Sequence, residues 1–294
     1  MHNKSETVRA LTATFVVSLL LFAAAPIFAA QAPTSPAALT TSPDTSLNWA
    51  GYAATGGTYT AVSGSWTVPK VTADTAGNYL SADTAWVGIG GVLGKDLIQA
   101  GTQAITEPSG RITYQAWYEM LPDNSQPLPV DIRPGDSVSV SIDRKKSNQW
   151  SIDFNNTTTG ENYSLDVAYV SSLSSAEWMV ETPSTDFGIL PLDNFGSVPF
   201  TAGSTVRDGT SQTISSSGAK PIQLTNLYGE TLASPSDLSV SGDGFTVTRT
   251  DNQTTPGFQT RRFGYSTTFP DYYFRFHRDQ GLSFERPWWW NFGF

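Results

Sequence analysis

The groups in this 294-residue chain that can do chemistry are carboxylates and amides. Cysteine is absent, and the two histidines, His2 and His277, stand near the two ends. The central part therefore cannot run a Ser-His-Asp or Cys-His nucleophile, and it lacks the usual nitrogen and sulfur ligands of zinc. No Asp-rich loop with the twelve-residue ligand spacing of a calcium site is visible either. No cofactor or metal is expected, and hydrolysis assisted by carboxylate and amide side chains is the chemistry that remains. Side chains of those types that fall within short β-like runs include Gln99, Gln115, Glu119 and Glu177.

The elements that must position them are strands. From Leu47 onward, short runs rich in Val, Ile, Thr, Tyr and Trp alternate with Gly, Pro, Asn and Asp, and no useful helical period appears. Strands are expected over Tyr59–Val68, Ser81–Ile89, Leu97–Ile105, Arg111–Glu119, Ser137–Asp143 and Gln149–Asn155. Six more are expected over Tyr163–Val170, Ala176–Glu181, Ser197–Phe200, Ile222–Asn226, Ser236–Val240 and Gly244–Thr250. So many short runs at close spacing indicate an all-β sandwich or barrel. Successive strand residues point to opposite sides, which puts Gln115, Trp117 and Glu119 on one face with Tyr114, Ala116 and Tyr118 behind. By the same rule Leu97, Gln99, Gly101 and Gln103 oppose Ile98, Ala100 and Ala104. Ser175, Glu177, Met179 and Glu181 oppose Ala176, Trp178 and Val180. Merely solvated sheet faces carry Thr, Ser and Lys, so a face mixing amide, carboxylate and indole groups reads as a ligand groove.

Residues 1–30 read as an export signal, with Lys4 and Arg9 ahead of an apolar run from Leu11 to Ala25 and small residues up to Ala30. That run is broken by Pro26 and falls short of the roughly twenty residues a spanning helix needs, so a secreted protein with no stable membrane insertion is expected. Residues 31–46 read as a linker or short propeptide, 47–251 as the main domain, and 252–294 as an aromatic-rich tail to which no chemistry is assigned. Residues 31–251 hold ten Lys or Arg against twenty-two Asp or Glu, whereas the tail holds five against three. An acidic domain without a basic stripe repels phosphate backbones, so nucleic acid is not an expected partner.

Seven sequence blocks carry a family resemblance. They are Asn48–Tyr52 (NWAGY), Gly64–Pro69 (GSWTVP), Ala85–Gly90 (AWVGIG), Leu97–Gly101 (LIQAG), Ala116–Glu119 (AWYE), Ala176–Glu181 (AEWMVE) and Asn194–Gly196 (NFG). In order and spacing the stretch from Leu47 to Thr250 resembles the glutamic peptidases, or eqolisins, and the absence of disulfides is similar to a bacterial type. The resemblance implies a concanavalin- or jelly-roll-like β-sandwich of two curved antiparallel sheets of about seven strands each, binding an extended peptide on its concave face. It implies a Gln/Glu dyad, falling on Gln99 and Glu177, and places Trp86 and Trp117 beside the cleft as substrate contacts. Glu119 and Gln115, on the Trp117 face, then orient the dyad or line a subsite. Many fungal members carry acidic residues where Gly90 and Gln115 stand, so substrate preference does not transfer.

The chemistry suits those residue types. Amide hydrolysis needs a base for water, a donor for the oxyanion and an acid for the leaving nitrogen. A glutamate serves as base and then acid, and a primary amide holds donor and acceptor on one plane. A carboxylate near its ordinary value of about 4.3 is half ionised in acid, so a secreted, monomeric endopeptidase with an acid optimum is expected. Two rivals remain: a glycoside hydrolase using Glu177 with Glu119, and a carbohydrate-binding or adhesion module whose aromatic face binds glycans without turnover.

Overall fold

The computed structural model describes residues 43–73, 79–185 and 188–250. The expected signal, residues 31–42 of the expected linker and the aromatic tail lie outside the described residues. The chain opens with β1 (Asp44–Ser46), β2 (Trp49–Thr55), β3 (Tyr59–Thr67), β4 (Ser81–Gly90), β5 (Leu97–Thr106) and β6 (Ile112–Met120). Next come β7 (Gln126–Pro127), β8 (Ser137–Lys146), β9 (Gln149–Asn156), β10 (Glu161–Ala168), β11 (Ser175–Glu181), β12 (Ser184–Thr185) and β13 (Gly188–Ile189). Last are β14 (Ser197–Arg207), β15 (Thr210–Thr213), β16 (Lys220–Thr225), β17 (Thr231–Pro235) and β18 (Phe245–Arg249). No helix occurs among the described residues, and the fold is all-β.

The hydrogen-bonded unit differs from two separate sheets of about seven strands. Sixteen strands form one open sheet, in the order β10-β9-β8-β3-β14-β18-β17-β16-β2-β11-β4-β5-β6-β7, with β1 added to β16 and β15 to β14. Pairing is antiparallel except for β1 on β16. The ladder stays continuous through its bend because β14 and β16 are irregular. Register shifts between Thr201 and Ser204, between Val206 and Arg207, and between Leu224 and Thr225 let a strand turn without losing its partner.

That bend brings one end of the sheet over its middle. Trp66 Nε1 on β3 donates to Thr102 Oγ1 on β5 at 2.9 Å, and Trp178 Nε1 on β11 donates to the Ser63 carbonyl on β3 at 2.8 Å. Neither strand pair is adjacent in the ladder, so these bonds cross between packed faces. The main core fills the interval with Val62, Trp66, Val87, Ile98, Ala100, Val140, Ile152, Phe154 and Trp178, all buried. Alternation built the outer strands: Val138, Val140 and Ile142 point inward from β8, and Trp150, Ile152 and Phe154 from β9. On the edge strand β10, both faces are largely exposed and Glu161 and Asp166 supply charges that discourage further pairing.

Strands β2, β4, β5 and β11 are buried on both faces. Behind them is the main core; in front is a second apolar cluster of Trp49, Ala53, Trp86, Leu97, Trp117, Met179 and Ile222. One expected strand is absent. Ser236–Val240 is irregular, because bonds from Ser239 N to Gly244 O and from Gly242 N to Ser239 O close a local turn there. Val240 is fully exposed at its tip. The strand preceding it, β17, takes the place in the ladder. At the other end, Asp44–Ser46, expected to belong to an unstructured linker, pairs with β16.

Candidate active site

The front face of the central strands is organised in rows that run across the sheet. Glu177 on β11 pairs with Gly88 on β4, Gly88 with Gln99 on β5, and Gln99 with Glu119 on β6. Paired residues share a face, so Glu177, Gln99 and Glu119 all project forward, and Gly88 contributes no side chain between the first two. Adjacent strands lie about 4.8 Å apart, which sets the backbones of Glu177 and Gln99 at ~10 Å, and the place a Cβ of Gly88 would take is bordered by Leu97, Trp86 and Gln99.

The next row pairs Met179, Trp86, Gly101 and Trp117. Here too a glycine separates bulky groups: a Cβ at Gly101 would stand 2.1 Å from the Ala85 carbonyl oxygen and 2.7 Å from Trp86 Cβ. Gly101 therefore lets β5 lie close against the Ala85–Trp86 backbone, between Trp86 and Trp117 in the row. The row beyond pairs Glu181, Thr84, Gln103 and Gln115.

Polar satisfaction separates these residues. Among the described residues, eight buried side-chain N or O atoms lack a protein partner, and five belong to this face: both Glu177 oxygens, Gln99 Oε1, Trp49 Nε1 and Trp117 Nε1. Natural interiors leave few such atoms unpaired, and a concentration on one face marks where water or a ligand is to be bound. Glu177 is fully buried and Gln99 nearly so. Gln99 Nε2 donates to Glu119 Oε2 at 2.6 Å. Its carbonyl consequently points away from β6.

Burial dominates the electrostatics. It pushes the Glu177 carboxyl well above the usual glutamate range, with Asp96 adding to the effect and the Ser175 hydroxyl opposing it. The sequence-based expectation of an ordinary value near 4.3 is therefore replaced by a raised one, because the Ser175 hydroxyl offsets only part of the lost solvation. Glu119 is raised to about 7 by burial, against the Gln99 amide and the Ser125 backbone N–H, which lower it.

Of the residues expected to form the site, Gln99, Glu177, Glu119, Trp86 and Trp117 come together in two neighbouring rows. Gln115 does not join them. Four residues before Glu119 on β6, it sits ~13 Å along the strand and accepts a bond from Gln103 Nε2 at 3.0 Å. Two contributors escaped sequence reasoning. Gly88 lies within a quoted block, but only the pairing register shows that it separates Gln99 from Glu177. Glu181, which the sequence places on the Glu177 face without a role, accepts bonds from Trp86 Nε1 at 2.9 Å and Asn48 Nδ2 at 3.0 Å. Its position four residues from Glu177 was the available signal.

Comparison with known proteins gives a consistent result. The model of the Peptidase A4 family matches residues 47–249. Aspergillopepsin-2 of Aspergillus niger is 32% identical over 225 residues, covering 69% of this chain and 77% of that protein. Scytalidopepsin B of Scytalidium lignicola is 30% identical over 208 residues, covering 66% and 75%. The crystal structure of scytalido-glutamic peptidase with a peptide-based transition-state analog superposes with a TM-score of 0.57 at 28% identity, covering 69% of this chain and 98% of that one.

Proposed function

The chain belongs to the Peptidase A4 family and is a peptide hydrolase, and we propose that it is a secreted acid endopeptidase that cuts with Glu177 and Gln99. The observation that carries this reading is the row Glu177–Gly88–Gln99–Glu119, in which the carboxylate and the amide flank a position without a side chain. An extended peptide lying over Gly88 would present its carbonyl between them. Glu177 takes a proton from the attacking water and returns it to the leaving nitrogen. The burial that raises its pKa makes it a stronger base once ionised and a firm holder of the proton it receives. Gln99 has one N–H committed to Glu119; the second N–H is available to the oxyanion, and Oε1 accepts from the water.

The facing of β3 and β8 against β4, β5 and β11 supports reading the folded-over sheet as the two layers of a sandwich. Residues 1–30 support export, and the acidic domain supports a peptide substrate over nucleic acid. Trp117, with its unpaired indole N–H, is read as a substrate contact, and the monomeric state expected from the sequence is retained.

A glycoside hydrolase built on Glu177 and Glu119 fits less well. Glu119 is engaged by the Gln99 amide, and Gln99 stands between the two carboxylates in the row, where a glycosidase needs the sugar or its water. The test is proteolysis of a denatured protein by the purified enzyme, its Glu177→Gln variant and its Gln99→Ala variant, scanned from about pH 2 to 8 across the carboxylate range. Loss of cleavage in both variants, with unchanged circular dichroism, is expected. Full activity in Gln99→Ala would refute the dyad.

A further inference from the structure

Glu181 holds two donors from different elements. Its Oε1 accepts from Asn48 Nδ2, just before β2, and its Oε2 accepts from Trp86 Nε1 on β4. Three tryptophans crowd this face: the indole N–H of Trp117 has no protein partner, that of Trp86 is tied to Glu181, and Trp49 also acts on the Glu181 carboxyl. The Trp86 ring is further fixed by the edge of Trp49, with centroids 5.3 Å apart and planes at 75°. At its other end, Trp86 Cζ3 lies 2.9 Å from the place a Cβ on Gly88 would occupy. An indole is rigid, so anchoring the pyrrole nitrogen determines where the benzene edge stands. That edge reaches over the gap separating Glu177 from Gln99.

We propose that Glu181 is a positioning residue of the peptidase site, which acts through Trp86 by holding the indole N–H and so setting the width of the space over Gly88 where a peptide carbonyl meets Glu177 and Gln99. The inference rests on the reading of Glu177 and Gln99 as the dyad. A carboxyl group is suited to the task because its two oxygens accept from Asn48 and Trp86 together. Glutamine keeps one acceptor and presents a donor to the other partner; alanine keeps none. Glu181 makes no hydrogen bond to Glu177 or Gln99, so its influence on turnover has to pass through the ring.

The experiment compares Glu181→Ala, Glu181→Gln, Trp86→Phe and the double variant Glu181→Ala/Trp86→Phe. Removing a bond to a carboxyl group should lower kcat/KM roughly ten- to a hundredfold in Glu181→Ala, and less in Glu181→Gln. Trp86→Phe, which deletes the N–H, should show a similar loss. The double variant should be no worse than Trp86→Phe alone, since the two changes cut the same link. A second readout is independent of turnover. In protein labelled with 5-fluorotryptophan, the Trp86 fluorine resonance, identified by its loss in Trp86→Phe, should shift and broaden in Glu181→Ala. Additive losses in the double variant, or an unmoved Trp86 resonance, would overturn the proposal. Should Glu181→Ala fail to fold, the isosteric Glu181→Gln gives the same two readouts with smaller expected changes. If Glu177→Gln or Gln99→Ala retains activity, the dyad reading fails, and the fluorine spectra still decide whether Glu181 holds Trp86.

Discussion

Gln99 donates its amide N–H to Glu119 Oε2 at 2.6 Å, and this bond decides which way the amide faces. With nitrogen held toward β6, the carbonyl of the same planar group is presented to the Glu177 side. Glu119→Ala should release the amide to rotate, lowering kcat by roughly tenfold for one hydrogen bond to a carboxyl group while KM changes little. Glu119→Gln, which keeps an acceptor, should recover most of the rate. Steady-state kinetics of the two variants checks this; a change confined to KM would count against an orienting role.

The gap at position 88 is a steric requirement. A Cβ there would meet Leu97 Cδ1 and Trp86 Cζ3 at 2.9 Å and Gln99 Cβ at 3.2 Å. Gly88→Ala is expected to cost about 1–3 kcal/mol as an overpacked site and to depress peptide cleavage beyond what the loss of folded protein explains. Urea titration alongside kinetics separates the two effects. A fully active, equally stable variant would show that the space is wider than the row implies.

The activity profile should peak in acid, with its rising limb above the ordinary glutamate value of about 4.3, because burial raises Glu177 and the base must be ionised to accept the proton of water. Above about 7 and about 8, Glu119 and Glu181 acquire charge, adding one anion beside Gln99 and another on the strand of Glu177. Activity should decline there. A profile that still climbs at pH 8 is incompatible with this arrangement.

Stability should follow the same carboxyls. Asp83, Glu119, Glu177, Glu181 and Asp193 are all raised, first by burial, so the folded chain keeps protons that the unfolded chain releases near pH 4. Their contribution is fully present below that point and is lost as pH rises through the folded values, about 7 for Glu119 and about 8 for Glu181. Tm should fall by more than roughly 5 °C between pH 4 and 8. Asp83→Asn, which removes a buried ionisable group whose Oδ1 has no partner, should flatten the slope. A Tm that rises with pH would reverse the sign.

The strands that carry Gln99, Glu119 and Glu177 were legible in the sequence because alternation sorts their two faces without any knowledge of partners. Ala176, Trp178 and Val180 do point into the main core while Glu177 points away. What alternation cannot supply is register: that Gly88 stands between Glu177 and Gln99, or that Gln115 lies two rows off, depends on pairing between distant segments. β2 was not anticipated as a strand because Trp49–Thr55 is rich in Gly and Ala and buried on both faces, which erases the polar-apolar contrast. Glu181 was passed over because its meaning lies in the Trp86 and Asn48 donors that the fold brings to it. The single continuous sheet was hidden for a related reason, since bulges in β14 and β16 leave no compositional trace.

The position of β2 has a consequence for how the molecule is made. It lies between β11 and β16, so residues 49–55 are gripped on one side by residues 175–181 and on the other by residues 220–222. A nascent chain cannot close the centre of its sheet until the segment near residue 222 has emerged, and pairings this distant along the chain place folding on the slow, millisecond-to-second side of the range. The row of Glu177, Gly88, Gln99 and Glu119 needs only β11, β4, β5 and β6 and can pair once residue 181 has emerged, while β2 keeps an open edge, a template for wrong partners, until β16 arrives to cover it.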